Sequence, residues 1–355
     1  MHHTQIPPAS LALLRRGTAI PAHLLALDPH RRLDERRQRA LSRYYLDAGA
    51  GGLAVGVHST QFAIREQGLY KPVLELAMDE ALNWDPLDGR RPLFMIAGLA
   101  GSTAQACTEA ATAQALGYHA GLLSLAAMKG ASEDALIAHC RSVADVMPLV
   151  GFYLQPAVGG IPLPASFWRR FATIDNVVAI KMAPFSRYGT LDVVRGVVEA
   201  GAEGRVTLYT GNDDHIVLDL LAPFVFTREG LPVTVRIKGG LLGHWSVGTR
   251  RAVQLLSRLH EAVAADQVSA ELLAIDARVT DCNAALFDVA HDFRGCIAGC
   301  HEVLRRQGLM AGIWCLDPHE GLSPGQMQEI DRVYNEHADL SDDDFVAANL
   351  QKWLT

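Results

Sequence analysis

The chain has 355 residues, 49% of them hydrophobic and 20% charged, with a net charge of −7. That is the balance of a globular protein with a large core, and the negative charge argues against a nucleic-acid or anionic-membrane partner. No run approaches the ~18 continuous apolar residues of a membrane span. The N-terminus Met1-His2-His3-Thr4-Gln5 has no signal-peptide pattern, and six cysteines without a disulfide-framework spacing point to a reducing cytoplasm.

Strand-like and helix-like stretches alternate from the start. Ala19 to Leu25 reads as strand one, and Asp34 caps a helix that stops at Gly49. Gly52 to Val57 is strand two, followed by the loop His58-Ser59-Thr60-Gln61-Phe62 and a helix from Pro72 to Leu82. Pro92 to Ala97 is strand three, with Ser102 or Thr103 capping a helix that ends before Gly117. Strand four is His119 to Leu125, with Ser132 capping a helix from Ala135 to Val146. Strand five is Pro148 to Tyr153, and Pro164 to Phe171 is helical. Strand six ends at Lys181, ahead of a helix from Leu191 to Ala200. Strand seven is Val206 to Thr210, then Gly211-Asn212-Asp213-Asp214 and a helix to Leu221. Phe224-Val225-Phe226 and Val233 to Leu242 compete for strand eight. The second is preferred, ending near Gly243-His244-Trp245.

Eight strand–helix units at this period predict an α/β chain with a (β/α)8 TIM barrel over residues 1–250. A doubly wound sheet would carry a glycine-rich phosphate turn after strand one, and Ala26-Leu27-Asp28-Pro29 is not one. From 251 to 355 the pattern is helical, in stretches Arg250 to Ala265, Asn283 to Arg306 and Ser323 to His337, with Ser341 capping a last short helix. Cys296, Cys300 and His301 fall at helical spacing, and packing is preferred over zinc binding because buried free cysteine behaves as a small hydrophobe.

The stretch with chemical promise is Asn176-Val177-Val178-Ala179-Ile180-Lys181. The chain has five lysines against 27 arginines, so a lysine ending a buried strand is not part of a general coating. Active sites of such barrels lie at the C-terminal ends of the strands. That rule selects His58, Ser59 and Thr60 after strand two, Tyr153 on strand five, Lys181 on strand six, Gly211, Asn212 and Asp213 after strand seven, and His244 after strand eight. A lysine desolvated in a barrel mouth loses its proton readily and forms an imine with a carbonyl compound. A tyrosine on the next strand would shuttle protons. Asp213, ahead of a helix, fits either substrate hydroxyls or an N-cap.

These motifs resemble the dihydrodipicolinate synthase and N-acetylneuraminate lyase family of class I, Schiff-base aldolases. The likeness runs from about Gly17 to Ser257. It rests on Ile20-Pro21-Ala22, Ala48-Gly49-Ala50-Gly51-Gly52, Ile96-Ala97-Gly98-Leu99-Ala100-Gly101-Ser102-Thr103, Tyr153-Leu154-Gln155-Pro156 and the strand ending in Lys181. The resemblance implies Lys181 as the imine-forming residue, Tyr153 as the proton shuttle and a homo-oligomer, dimer or tetramer. Three departures stand out. Gly56-Val57-His58-Ser59-Thr60 replaces the family's Gly-Thr-Thr-Gly-Glu, Ala126-Ala127-Met128 replaces Pro-Tyr-Tyr, and Val158 stands where the synthase has arginine. The last two argue against dihydrodipicolinate synthesis itself.

The expectation is therefore a lyase, aldolase or dehydratase, acting through Lys181 on pyruvate or a sugar-derived 2-oxo acid. Tyr153 would shuttle protons, and His58, Ser59, Thr60, Gly211, Asn212 and His244 would contact the substrate. No cofactor or metal is called for. Two rivals are a metal-dependent barrel with His58, His244 and Asp213 as ligands, and a barrel that binds a metabolite without turning it over.

Overall fold

A computed structural model describes residues 1–84 and 91–355. Its centre is an eight-stranded parallel sheet. The strands are β1 (Ala19–Pro21), β2 (Ala54–Val55), β3 (Ile96–Leu99), β4 (Ala120–Leu123), β5 (Leu149–Tyr153), β6 (Val177–Met182), β7 (Thr207–Thr210) and β10 (Ile237–Leu242). They pair in the order β1-β10-β7-β6-β5-β4-β3-β2, and a parallel bridge between Ala22 and Ala54 brings β1 back to β2. The expected barrel is present.

The strands are short, buried on both faces and rich in apolar residues, as a parallel sheet wrapped by helices requires. Alternation along each strand sorts its side chains into two cores. Ile96, Leu122, Val150, Phe152, Val178 and Leu241 fill the barrel interior. Leu149, Tyr153, Ile180, Met182 and Leu208 face the surrounding helices. The helix Pro8–Arg16, not foreseen in the sequence, closes the N-terminal end. Leu14 packs into the inner core, and the Tyr209 hydroxyl donates to the Leu14 carbonyl at 2.9 Å.

Most helix ends fall where the capping residues put them. Asp34 accepts from the Arg37 amide, Ser102 from Gln105 and Ser132 from Ala135, while Gly49 ends its helix in the left-handed conformation. Strand eight is the main revision. Val233–Val235 belong to an antiparallel hairpin, β8 (Phe224–Arg228) with β9 (Leu231–Val235), and the barrel strand starts only at Ile237. The hairpin alternates half-buried and exposed residues and turns at Glu229-Gly230, both at positive φ, as a two-residue ribbon turn needs. One-sided burial of this kind suits a surface ribbon, not a barrel strand.

The tail packs against the barrel. The helix Thr249–Ala264 lies on β1 and on the helix Glu35–Ala48. The expected helix Asn283 to Arg306 is instead two, Ala270–Leu286 and Cys296–Arg306, broken by a tight loop. Asp288, Asp292 and Phe293 all take positive φ there, and the Asp288 carboxylate accepts from the Gly295 amide at 3.0 Å. The last helix, Asp343–Trp353, brings Trp353 and Phe345 against Tyr44, and the Tyr44 hydroxyl donates to Asp342 at 2.7 Å. No helix among the described residues is long and apolar enough to cross a membrane.

Candidate active site

The C-terminal ends of the strands open into a cavity of about 90 Å³, and Lys181 stands on its wall. Lys181 is 8% exposed. Its register partner on β5 is Phe152, and its ammonium sits 4.6 Å from the centre of that ring. Burial drives the lysine's pKa down from its ordinary value, and the Asp213 carboxylate pulls it partly back. Gly211 makes the room: a Cβ there would lie 2.5 Å from the Lys181 Cε.

Asp213 lines the same cavity. Its carboxylate accepts from the His244 amide at 3.1 Å, while its own carbonyl accepts from the Asn283 side chain at 2.6 Å. Burial raises its pKa, opposed by that amide and by Lys181. The two groups thus move toward each other. A carboxyl that holds its proton more readily faces an amine that gives its proton up more readily, with no ion pair between them among the described residues. Burial narrows the gap between them, so the neutral amine and the neutral acid both come within reach near neutral pH.

Tyr153 does not join them. Adjacent residues of a strand point to opposite faces, and Tyr153 pairs in register with Met182, on the outer side. Its hydroxyl accepts from the Leu163 amide at 3.2 Å, and its ring lies against Trp168 at 5.4 Å. The expected proton shuttle is therefore corrected. The residue facing Lys181 is Phe152, which has no proton to move. Sequence alone carries no strand pairing, and a one-residue offset exchanges the faces.

The strand-two loop divides. His58 and Ser59 line the cavity, both half-buried. Burial and the Lys181 charge lower the His58 pKa to about 4, so the imidazole is neutral at physiological pH. The Ser59 hydroxyl donates to the Ala22 carbonyl at 3.1 Å and can turn to a ligand. Thr60 is fully buried and structural. It donates to the His23 carbonyl at 2.6 Å and accepts from the Gly56 amide at 3.0 Å, clamping β2 to β1.

Asn212 and His244 also depart from expectation. Asn212 is completely buried, with its amide donating to Thr190 and Asp219 and its oxygen accepting from the Phe185 amide at 3.0 Å. It holds the loop and does not line the cavity. The His244 ring turns under the tail into neighbouring clefts, so the three ligands of the metal rival, His58, His244 and Asp213, are not brought together. Only the His244 backbone reaches the site.

The roof comes from the tail, which sequence reasoning left without a role. Phe287, Phe293, Cys296, Ile297 and Cys300 cover the cavity, and Phe185 meets Phe293 from the barrel side, with ring centres 5.5 Å apart and nearly perpendicular. Both of these aromatics have positive φ, +50° at Phe185 and +65° at Phe293. For a bulky residue this is a true outlier that costs about 1–3 kcal/mol, held only where the surroundings impose it. The phenylalanines gave no pattern in the sequence beyond ordinary core residues.

Solved structures resemble this fold at low sequence identity. A prophage protein of the dihydrodipicolinic acid synthase family from E. coli K12, YagE, in complex with pyruvate, is 18% identical with a TM-score of 0.73, covering 91% of this chain and 99% of its own. N-acetylneuraminate lyase from Fusobacterium nucleatum is 16% identical with a TM-score of 0.69, covering 90% and 98%. A variant described as the first monomeric dihydrodipicolinate synthase is 18% identical with a TM-score of 0.72, covering 94% and 99%. At this identity these likenesses establish the fold alone. No curated protein matches the chain. The sequence model of one family matches residues 16–223, more than half of the chain and the span that carries β1 to β7, Lys181 and Asp213. The protein belongs to the Dihydrodipicolinate synthetase family.

Proposed function

We propose that Lys181 carries the imine through which this class I lyase acts on a small 2-oxo acid, with Asp213 as the group that moves protons. One observation carries the reading: a buried lysine, with no ion pair among the described residues, stands near the end of a barrel strand on the wall of a cavity that also holds a buried carboxyl. The neutral amine attacks the ketone, and the carboxyl gives a proton to the departing hydroxyl as carbinolamine becomes imine and water leaves. Ser59 and the neutral His58 are the polar groups within the cavity for the substrate carboxylate. Gly211 contributes space, not a contact. Tyr153, Thr60, Asn212 and the His244 ring have no direct part.

Pyruvate is the first 2-oxo acid to test, since it is small and is the ligand of the YagE structure. Reduction with borohydride in its presence is expected to add the mass of a reduced pyruvate to the intact chain, and Lys181→Ala is expected to abolish the adduct. An adduct that survives in the variant would place the chemistry on another lysine, and no adduct with any 2-oxo acid would remove the imine. The same family supports a homo-oligomer, although one relative is described as monomeric; light scattering decides between them. The six unpaired cysteines agree with a cytoplasmic setting.

A further inference from the structure

We infer that the second half of the substrate is an apolar aromatic aldehyde, not a polyhydroxylated one. The inference rests on the imine reading and concerns what lies above it. Outward from Lys181 the cavity is bounded by Phe152, Leu154 and Phe185 from the barrel and by Phe287, Phe293 and Ile297 from the tail. The polar side chains there are few. His58, Ser59 and Asp213 sit with the lysine, where the 2-oxo acid must bind. Cys296 and Cys300 contribute thiols, which are poor hydrogen-bond partners. Gln155 remains, and its carbonyl oxygen already accepts from the Ala157 amide at 2.7 Å.

Farther out, beyond Phe185, Phe287 and Phe293, a second cleft carries Asp214, Thr280 and Asn283. The Thr280 hydroxyl and the Asn283 amide are already used as donors, while one Asp214 carboxylate oxygen and the Asn283 side-chain oxygen have no hydrogen-bond partner among the described residues. The Thr280 hydroxyl donates to the Asp214 carbonyl at 3.0 Å and the Asn283 amide donates to the Asp213 carbonyl at 2.6 Å. A sugar chain entering here would give up its water and meet only those two oxygens and the Gln155 amide as replacement partners, which leaves its further hydroxyls unsatisfied. A flat ring would lose nothing by desolvation and would meet the perpendicular pair Phe185 and Phe293 in the geometry that aromatic groups prefer. That pair is held in place against its backbone preference. The Phe185 amide is fixed on the Asn212 side-chain oxygen, and the Phe293 amide donates to the Asp288 carbonyl at 3.0 Å.

The reaction balances with what is present. Pyruvate and Lys181 form an imine and release water. The Asp213 carboxylate, left without its proton when water departed, takes a C3 proton and gives the enamine, whose electron pair forms the carbon–carbon bond to the aldehyde carbon. The aldehyde oxygen takes a proton from the Asp213 carboxyl and becomes a hydroxyl. Water then hydrolyses the imine, restoring the amine and releasing a 4-aryl-4-hydroxy-2-oxo acid.

The test has two stages. Borohydride trapping with pyruvate comes first; failure there overturns the imine, and with it this inference. With the imine in hand, condensation of pyruvate with benzaldehyde is compared with D-glyceraldehyde by mass spectrometry of the product. We expect kcat/KM for benzaldehyde to exceed that for D-glyceraldehyde by at least about tenfold, the discrimination a pocket of this kind supplies. Equal rates, a preference for D-glyceraldehyde, or turnover of neither would overturn the assignment while leaving the pyruvate adduct standing. Phe293→Ala is expected to erase the preference and Phe293→Leu to reduce it, with pyruvate trapping retained in both. Should Phe293→Ala not fold, trapping of 2-oxo-4-phenylbutanoate by the unaltered chain replaces it. Efficient capture relative to pyruvate supports the apolar site, and exclusion of that acid overturns it.

Discussion

The floor and the roof of the cavity are built on opposite principles. The floor is barrel: Lys181 on β6, Asp213 after β7, His58 and Ser59 after β2. It gathers titratable groups and withdraws water from them, which pushes the lysine pKa down and the aspartate pKa up. The roof is tail: Phe287, Phe293, Cys296, Ile297 and Cys300, with Phe185 reaching up from the barrel. It carries no charge, and its cost is backbone strain at two phenylalanines. In the proposed reading, reaction chemistry and substrate choice are thereby separated. The floor belongs to the span that matches the family, residues 16–223, while the tail's share of the roof lies beyond it. A barrel whose imine chemistry is inherited can take a new partner by changing the segment laid over it, as loop variation does on this fold in general.

Removing the floor's nucleophile gives the largest effect. Lys181→Ala is expected to lose all borohydride-dependent adduct and all turnover while keeping the roof and its binding of an apolar acid, as thermal stabilisation by ligand would read. Asp213→Asn comes next, with imine formation expected to slow by roughly 10²-fold or more, the range for a lost proton-transfer group. The pH profile sharpens the distinction. Below the titration of the pair, Lys181 is an ammonium and cannot attack. Above it, Asp213 is an anion and cannot donate. Trapping rate against pH is therefore bell-shaped, with limbs that belong to the pair. In Asp213→Asn the alkaline limb disappears and the acid limb stays. Two limbs in the variant would assign the proton to another group.

The contrast also explains what could be read from sequence. Barrel strands are short apolar runs closed by capping residues, so Asp34, Ser102 and Ser132 marked helix starts correctly and the strand ending in Lys181 stood out. Lys181 was visible because lysine is rare in this chain and rarer at a buried strand end. Side-chain direction was not. Phe152 and Tyr153 are neighbours, and the register with β6 alone decides which faces the lysine. A motif that resembles the family's cannot supply that register. Asp213 looked like a cap because acidic residues ahead of helices usually are, but the helix begins only at Ile216, and the carboxyl is held by the His244 amide. The roof was invisible for a different reason. The tail's residues there are ordinary hydrophobes separated from the floor by roughly 75 to 240 positions, and only tertiary packing puts them over Lys181.

A smaller effect should come from Gly211→Ala. The added methyl would meet the Lys181 Cε at 2.5 Å, and the neighbouring Ala183 Cβ at 2.9 Å blocks one way out. The lysine must tilt, and a nucleophile moved by about 1 Å loses on the order of 10²-fold when geometry is demanding. The expected signature is slower trapping at unchanged pyruvate saturation, because Ser59 and His58, the groups proposed to hold the substrate carboxylate, are untouched. Unchanged trapping would mean that the side chain has slack the close approach of Gly211 does not suggest.

The smallest expected effect is the most diagnostic for the two faces of β5. Tyr153→Phe removes only the acceptor of the Leu163 amide and keeps the ring against Trp168. Stability should fall by about 1 kcal/mol, the usual net worth of such a hydrogen bond, read as a small drop in the urea midpoint. Trapping and turnover should stay as in the parent. Phe152→Tyr makes the reciprocal change, setting a hydroxyl on the ring that Lys181 already approaches at 4.6 Å. If Tyr153→Phe instead abolished imine formation while leaving the chain folded, the hydroxyl would have to reach Lys181 during turnover. The outward register of β5 would then have to break, and Asp213 would lose its claim to the proton.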